Sequence, residues 1–158
     1  MYRMVGALVL AVAMVAVPVA GAEDKAADVT DLQSLRNGVR TDERAYVASL
    51  MKLTDAEAKR FWPIYDAYQR DVEMADRRRT RVLEDIIGSD RPISDIYAKN
   101  MLRELLLADE IKVKARRTMT TKLIRALPPR KAARYVQLDA KIRAVTDYDI
   151  AGAIPLVQ

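Results

Sequence analysis

The side chains best able to do chemistry in this chain are its cations. Nine basic residues and no acidic one stand between Lys112 and Leu138: Lys112, Lys114, Arg116, Arg117, Lys122, Arg125, Arg130, Lys131 and Arg134. A second run, Arg77, Arg78, Arg79 and Arg81, is broken only by Thr80. Such groups draw anionic surfaces from a distance and hold them by charge-assisted hydrogen bonds. On a helix the 77–81 run must wrap the axis, because successive residues are ~100° apart. Glu73, Asp76, Glu84 and Asp85 lie within a turn and can pair with it. Arg79 falls instead in the apolar seam between Ala75 and Val82, where a buried pair with Asp109 or an open groove would accommodate it. The 112–134 stretch is either neutralised by acidic helices across a hairpin or dimer interface, or it faces a partner, and the sequence leaves both open.

Other chemistries are poorly served. The chain has no His and no Cys, so acid–base or nucleophilic work would fall to carboxylates, Ser or Lys. Ser34, Ser49, Ser89 and Ser94 fall in a lead-in, a short helix, a loop and a cap, while Asp66, Asp71, Asp109 and Glu110 are spread along helices rich in counter-charge. No enzyme and no cofactor is expected. Soft-metal or zinc binding would rest on Met51, Met74, Met101 and Met119 alone, all at core-like spacing, so no metal site is expected either. No nucleic-acid motif accompanies the basic stretch; anionic lipid is the more plausible non-protein partner.

The chain opens MYRMVGALVLAVAMVAVPVAGA, a basic Arg3, an uncharged apolar run and small residues before Glu23. This is the pattern of a secretory signal peptide over residues 1–22, cleaved after Ala22, with a periplasmic product. Loss of Arg3 would leave a net charge of +4 in place of +5. Length alone also allows an uncleaved anchor. A cysteine-free exported domain must hold together by packing.

The elements that would position the cations are all helical. Residues 23–40, with Asn37-Gly38, read as a flexible lead-in, and 41–158 as a single domain. A short helix is expected from Thr41 to Lys52. In the segment LTDAEAKRFWPIYDAYQRDV, Thr54 and Glu57 form a capping box, and Phe61, Tyr65, Tyr68, Val72 and Ala75 draw one apolar stripe. Trp62 lies one position off that stripe, which makes it the better candidate for a partly exposed contact, and Pro63 should bend the helix. This long helix should reach Ile87, where Gly88 to Pro92 stop it. Ser94 should cap a second, running to Ala126, with Tyr97, Met101, Leu105, Ala108, Ala115, Met119 and Leu123 inward. Pro128-Pro129 should start a third, from Arg130 to Asp147, buried through Tyr135, Leu138, Ile142 and Val145. Ile154, Leu156 and Val157 of the tail should dock on a helix or a partner. The fold class is all-α: an elongated helical hairpin of two long helices, with a short N-terminal helix and a C-terminal helix. Leu53, Ala58, Arg60, Phe61 and Ile64 match Leu127, Ala132, Arg134, Tyr135 and Leu138 at a constant offset of 74, a weak internal repeat.

The segments LTDAEAKRFWPIYDAYQRDV and LPPRKAARYVQLDAKIRAV, behind an export signal, resemble the Spy/CpxP-like group of periplasmic stress proteins. That group carries two Leu-Thr-x-x-Gln motifs; here Leu53-Thr54-Asp55-Ala56-Glu57 has Glu57 for Gln, and Leu127-Pro128-Pro129-Arg130-Lys131 keeps only the leucine. The Phe-Trp-Pro-x-Tyr segment is closer to that of uncharacterised exported helical proteins. The resemblance implies a homodimer and an ATP-independent, chaperone-like (holdase) role toward unfolded or stress-exposed envelope proteins, bound on a basic, partly apolar face. A regulatory adaptor of an envelope stress-sensing kinase is the alternative, and a membrane-anchored structural protein the second. The expected binding residues are Trp62, Arg77, Arg78, Arg81, Lys112, Arg116, Arg117, Lys122, Arg125, Arg130, Lys131 and Arg134.

Overall fold

A computed structural model of the protein describes residues 32–88, 92–154 and 156. The expected signal peptide, its cleavage point, the first part of the lead-in, Ser89 and Val157 lie outside the described residues. Those that are described form four helices and no strand: α1 Leu32–Met51, α2 Asp55–Ile87, α3 Asp95–Ala126 and α4 Pro129–Ala153. None of the helices is long and apolar enough to cross a membrane.

Helix α1 begins nine residues ahead of the expected Thr41, with Leu35 fully buried. Its backbone leaves helical values at Asp42 (φ −163°, ψ 96°), and the Asp42 carboxylate accepts from the Ala45 N–H at 2.9 Å. The expected helix is therefore the second of two segments, and Asp42 caps it. The first segment was obscured by Asn37-Gly38. Glycine is admitted there because the Tyr46 ring rests on it: a Cβ at position 38 would lie 2.4 Å from that ring. Past Met51, Lys52 has φ 45°, in the left-handed region that favours glycine. Its carbonyl accepts from Lys131 Nζ at 3.1 Å, which ties the end of α1 to α4.

Helix α2 starts as its sequence dictates. Glu57 N–H donates to Thr54 Oγ1 at 3.4 Å and Thr54 N–H to Glu57 Oε2 at 2.8 Å, which closes the capping box. Pro63 lies inside α2, which runs on to Ile87, and Gly88 closes it in ordinary right-handed geometry. Ser94 Oγ caps α3 by accepting from Tyr97 N–H at 3.2 Å. Helix α4 runs to Ala153, six residues past the expected Asp147. Asp149 in that extension pairs with Arg36 of α1 at 2.8 Å, so cross-helix charge favours the extra turns.

The core lies where all four helices meet. Leu35, Val47 and Met51 of α1 join Phe61, Tyr65 and Tyr68 of α2, Met119 and Leu123 of α3, and Tyr135, Leu138, Ile142 and Val145 of α4. Phe61 and Tyr135 meet edge to face at 5.0 Å between centroids, an arrangement that adds to simple burial. These two residues are 74 apart, as are Glu57 and Lys131, which pair at 2.5 Å. Positions equivalent in the internal repeat thus touch each other. Beyond this cluster α2 and α3 approach through small residues, with Ala75 and Ala108 almost fully buried. Lys112–Asp76 (2.5 Å), Arg78–Glu104 (2.7 Å) and Tyr97–Asp85 (2.7 Å) lace the two helices together, antiparallel.

Candidate functional site

Three features of the fold offer chemistry, beginning with a polar cluster set in the aromatic core. Glu43 accepts from Tyr65 Oη at 3.1 Å and from Gln69 Nε2 at 2.5 Å, and Asp139 accepts from Tyr68 Oη at 2.8 Å and from Arg143 Nε at 3.0 Å. Burial pushes the Tyr65, Tyr68 and Tyr135 phenols above their ordinary range, with Glu43 adding to this at Tyr65 and Asp139 at Tyr68 and Tyr135, so all three remain neutral. A cavity of about 280 Å³ opens beside the cluster, with Lys112, Asp139 and Arg143 on its wall. The polar groups around it already satisfy one another, so the cluster braces α1, α2 and α4.

The brace makes stability depend on pH in two opposed ways. Burial raises the Glu43 carboxyl above its ordinary 4.5, outweighing the Tyr65 and Gln69 bonds. The folded state therefore prefers protonated Glu43, and stability falls as pH rises from 4.5 through the raised value. Glu57 is shifted the other way, chiefly by its hydrogen bond from Lys131 and then by the Thr54 N–H. Its contribution is complete above 4.5 and is lost as pH falls through the lowered value. Urea midpoints measured against pH should show Glu43→Gln without the decline above 4.5 and Glu57→Gln without the acid loss. Unchanged profiles in both variants would contradict these assignments.

The cations expected to bind a partner separate into tied and open groups. Lys112 pairs with Asp76, and Lys131 bridges Glu57 and the Lys52 carbonyl. Both are half-buried struts between helices, whereas the sequence placed them on a binding face. Arg77 pairs with Glu73 at 2.7 Å and Arg78 with Glu104, yet together with Arg81 they line one groove of about 530 Å³ between α2 and α3. The run thus does present a one-sided patch, because Arg79 alone turns away. Arg79 pairs with Asp147 of α4 at 2.9 Å, not with Asp109, which is exposed. Arg116 is half-buried near Tyr68. Arg117, Lys122, Arg125 and Arg130 are exposed without an ion pair among the described residues, and Arg134 is exposed. Trp62 is partly exposed as expected, but the Arg44 guanidinium covers its face at 4.2 Å and also pairs with Asp66. Of the tail, Ile154 is half-buried beside Leu83, Ile86 and Leu105, whereas Leu156 is 92% exposed.

The third feature was missing from the sequence-based site. Opposite its buried side, α3 exposes Leu102 (56%), Leu106 (63%), Val113 (55%) and Ile124 (63%). At 3.6 residues per turn these four fall within ~40° of one another, a line of apolar side chains spread over about 33 Å with polar residues between them. Lys99, Arg103, Lys114, Arg117 and Arg125 run along one flank, all exposed. The signal was present in the spacing of 102, 106, 113 and 124, but the same helix offered a fuller inward set. No family model, no curated protein and no solved structure matches the chain.

Proposed function

We propose that the chain is an exported, ATP-independent holdase-like protein that binds unfolded or stress-exposed envelope proteins on the outward face of α3. The observation that carries this reading is the exposed stripe Leu102, Leu106, Val113 and Ile124 beside unpaired cations. Exposed apolar side chains aligned on one helix face and rimmed by polar residues are a feature of interaction surfaces. In this reading α2 and α3 form an elongated hairpin that carries the face away from the four-helix core. Arg117 and Arg125 gather acidic segments at long range, and the leucines then hold exposed apolar side chains loosely. The groove of Arg77, Arg78 and Arg81 is a secondary contact. Capture of this kind needs no nucleotide and weakens with salt, since screening shortens to roughly 3 Å at 1 M.

The test is suppression of aggregation of a chemically denatured client without ATP. The triple variant Leu102→Ser, Leu106→Ser, Ile124→Ser should need several-fold more protein for the same effect, and its stability should fall little, since these side chains face solvent. Wild-type protein that fails at several-fold excess over client would overturn the function. Equal activity of the triple variant would remove it from this face.

A further inference from the structure

We infer that the outward stripe of α3 is self-complementary and that a second copy of this chain covers it, antiparallel, about a two-fold axis at Val113. The inference deepens the function proposed above, on which its regulatory consequence rests, while the pairing itself stands on the distribution of side chains along α3. A two-fold perpendicular to the helix at Val113 brings together residues equally distant on either side of that position and lying toward the same edge of the stripe. Eleven residues make just over three full turns. Leu102 therefore faces Ile124 of the second copy, and Val113 meets its own equivalent. Seven residues out, Leu106 faces the half-buried Thr120.

The charges follow the same symmetry. Four residues before Val113 stands Asp109 and four after it Arg117; three before stands Glu110 and three after it Arg116. Asp109 and Arg116 lie along one edge of the stripe and Glu110 and Arg117 along the other, so Asp109 faces Arg116 and Glu110 faces Arg117 of the other copy. Neither acid has an ion pair among the described residues, and neither does either arginine. Parallel pairing in register would instead set Asp109 against Glu110 and Arg117 against Arg116, which costs energy. Opposite charges meet only in the antiparallel arrangement, which is why a second copy fits better than an arbitrary partner.

The dimer so formed is a closed state, because it occupies the surface proposed to hold clients. Dissociation opens that surface, so client binding and self-association compete and the free face increases on dilution or in high salt.

The chain has no cysteine, which makes disulfide trapping clean. Full-length mature Val113→Cys should cross-link to a dimer under mild oxidation. Ala133→Cys, exposed on α4, should do so at least tenfold more slowly. Leu102→Cys and Ile124→Cys should each stay single alone but join when mixed, because only that pair is in reach. Val113→Cys that remains monomeric, or Leu102→Cys that cross-links with itself as fast as with Ile124→Cys, overturns the pairing. In sedimentation, Glu110→Arg should weaken the dimer at least tenfold and Glu110→Arg with Arg117→Glu should recover it; no recovery also overturns it. Oxidised Val113→Cys should suppress aggregation several-fold less well than the same variant reduced. Equal suppression by the two forms overturns the closed state. Cross-linking of Val113→Cys with no suppression by the wild-type protein would leave the pairing standing and reject the holdase reading instead.

Discussion

Phe61→Ala is expected to cost about 3–5 kcal/mol of folding stability, the range for truncating a fully buried aromatic. Phe61 has no exposed surface and touches Trp62, Tyr65 and Tyr135, which places it between the aromatic segment of α2 and the start of α4. Neighbours fixed in two different helices cannot all close on the void, so most of the cavity cost remains. Single domains are stable by about 5–15 kcal/mol, so this variant should be partly unfolded well below the wild-type urea midpoint. Phe61→Leu should lose about 1–2 kcal/mol, because it keeps most of the volume. A cycle with Tyr135→Leu should then report about 0.5–1.5 kcal/mol of coupling for the edge-to-face pair. Urea unfolding followed by helical circular dichroism measures all three. A Phe61→Ala cost under about 1 kcal/mol would mean that the core is not centred there.

Asp139→Ala should cost about 2–3 kcal/mol, more than expected from its small side chain. The carboxylate is 5% exposed and accepts from both Tyr68 and Arg143. Removing it leaves the Tyr68 hydroxyl buried without an acceptor, whereas Tyr68→Phe removes the donor and should cost only about 1 kcal/mol. Arg143 is about one-third exposed and recovers water, so its share is small. The double variant should therefore be less unstable than the two single losses added, by about 1 kcal/mol. Strict additivity would show that Tyr68 and Asp139 do not act as a unit.

Helix termini and buried faces were largely legible before the fold was seen. Thr54, Glu57 and Ser94 act within four residues of where they stand in the chain, and a capping bond needs no distant partner. Phe61, Tyr65 and Tyr68, or Tyr135, Leu138, Ile142 and Val145, recur at the helical period, and burial of such a stripe follows from periodicity alone. The first half of α1 was not legible, because Gly38 reads as a breaker until Tyr46 is seen resting on it. The extension of α4 to Ala153 was hidden for the same kind of reason, since Asp149 pairs with an arginine more than a hundred residues away.

The proposed binding face divides along the same line. The sequence alone determined that the chain is helical, where three of its helices begin, which stripe of each is apolar, and that an acid-free run of cations occupies α3 and the start of α4. Only the tertiary structure decided which of those cations are free. Lys112 and Lys131 are drawn into struts by Asp76 and Glu57, while Arg117, Lys122 and Arg125 stay open, and Leu102, Leu106, Val113 and Ile124 are left without a covering helix. Periodicity is a property of one helix and can be read along it. Pairing and exposure belong to the space between helices, and that space exists only after α1, α2 and α4 have packed against α3.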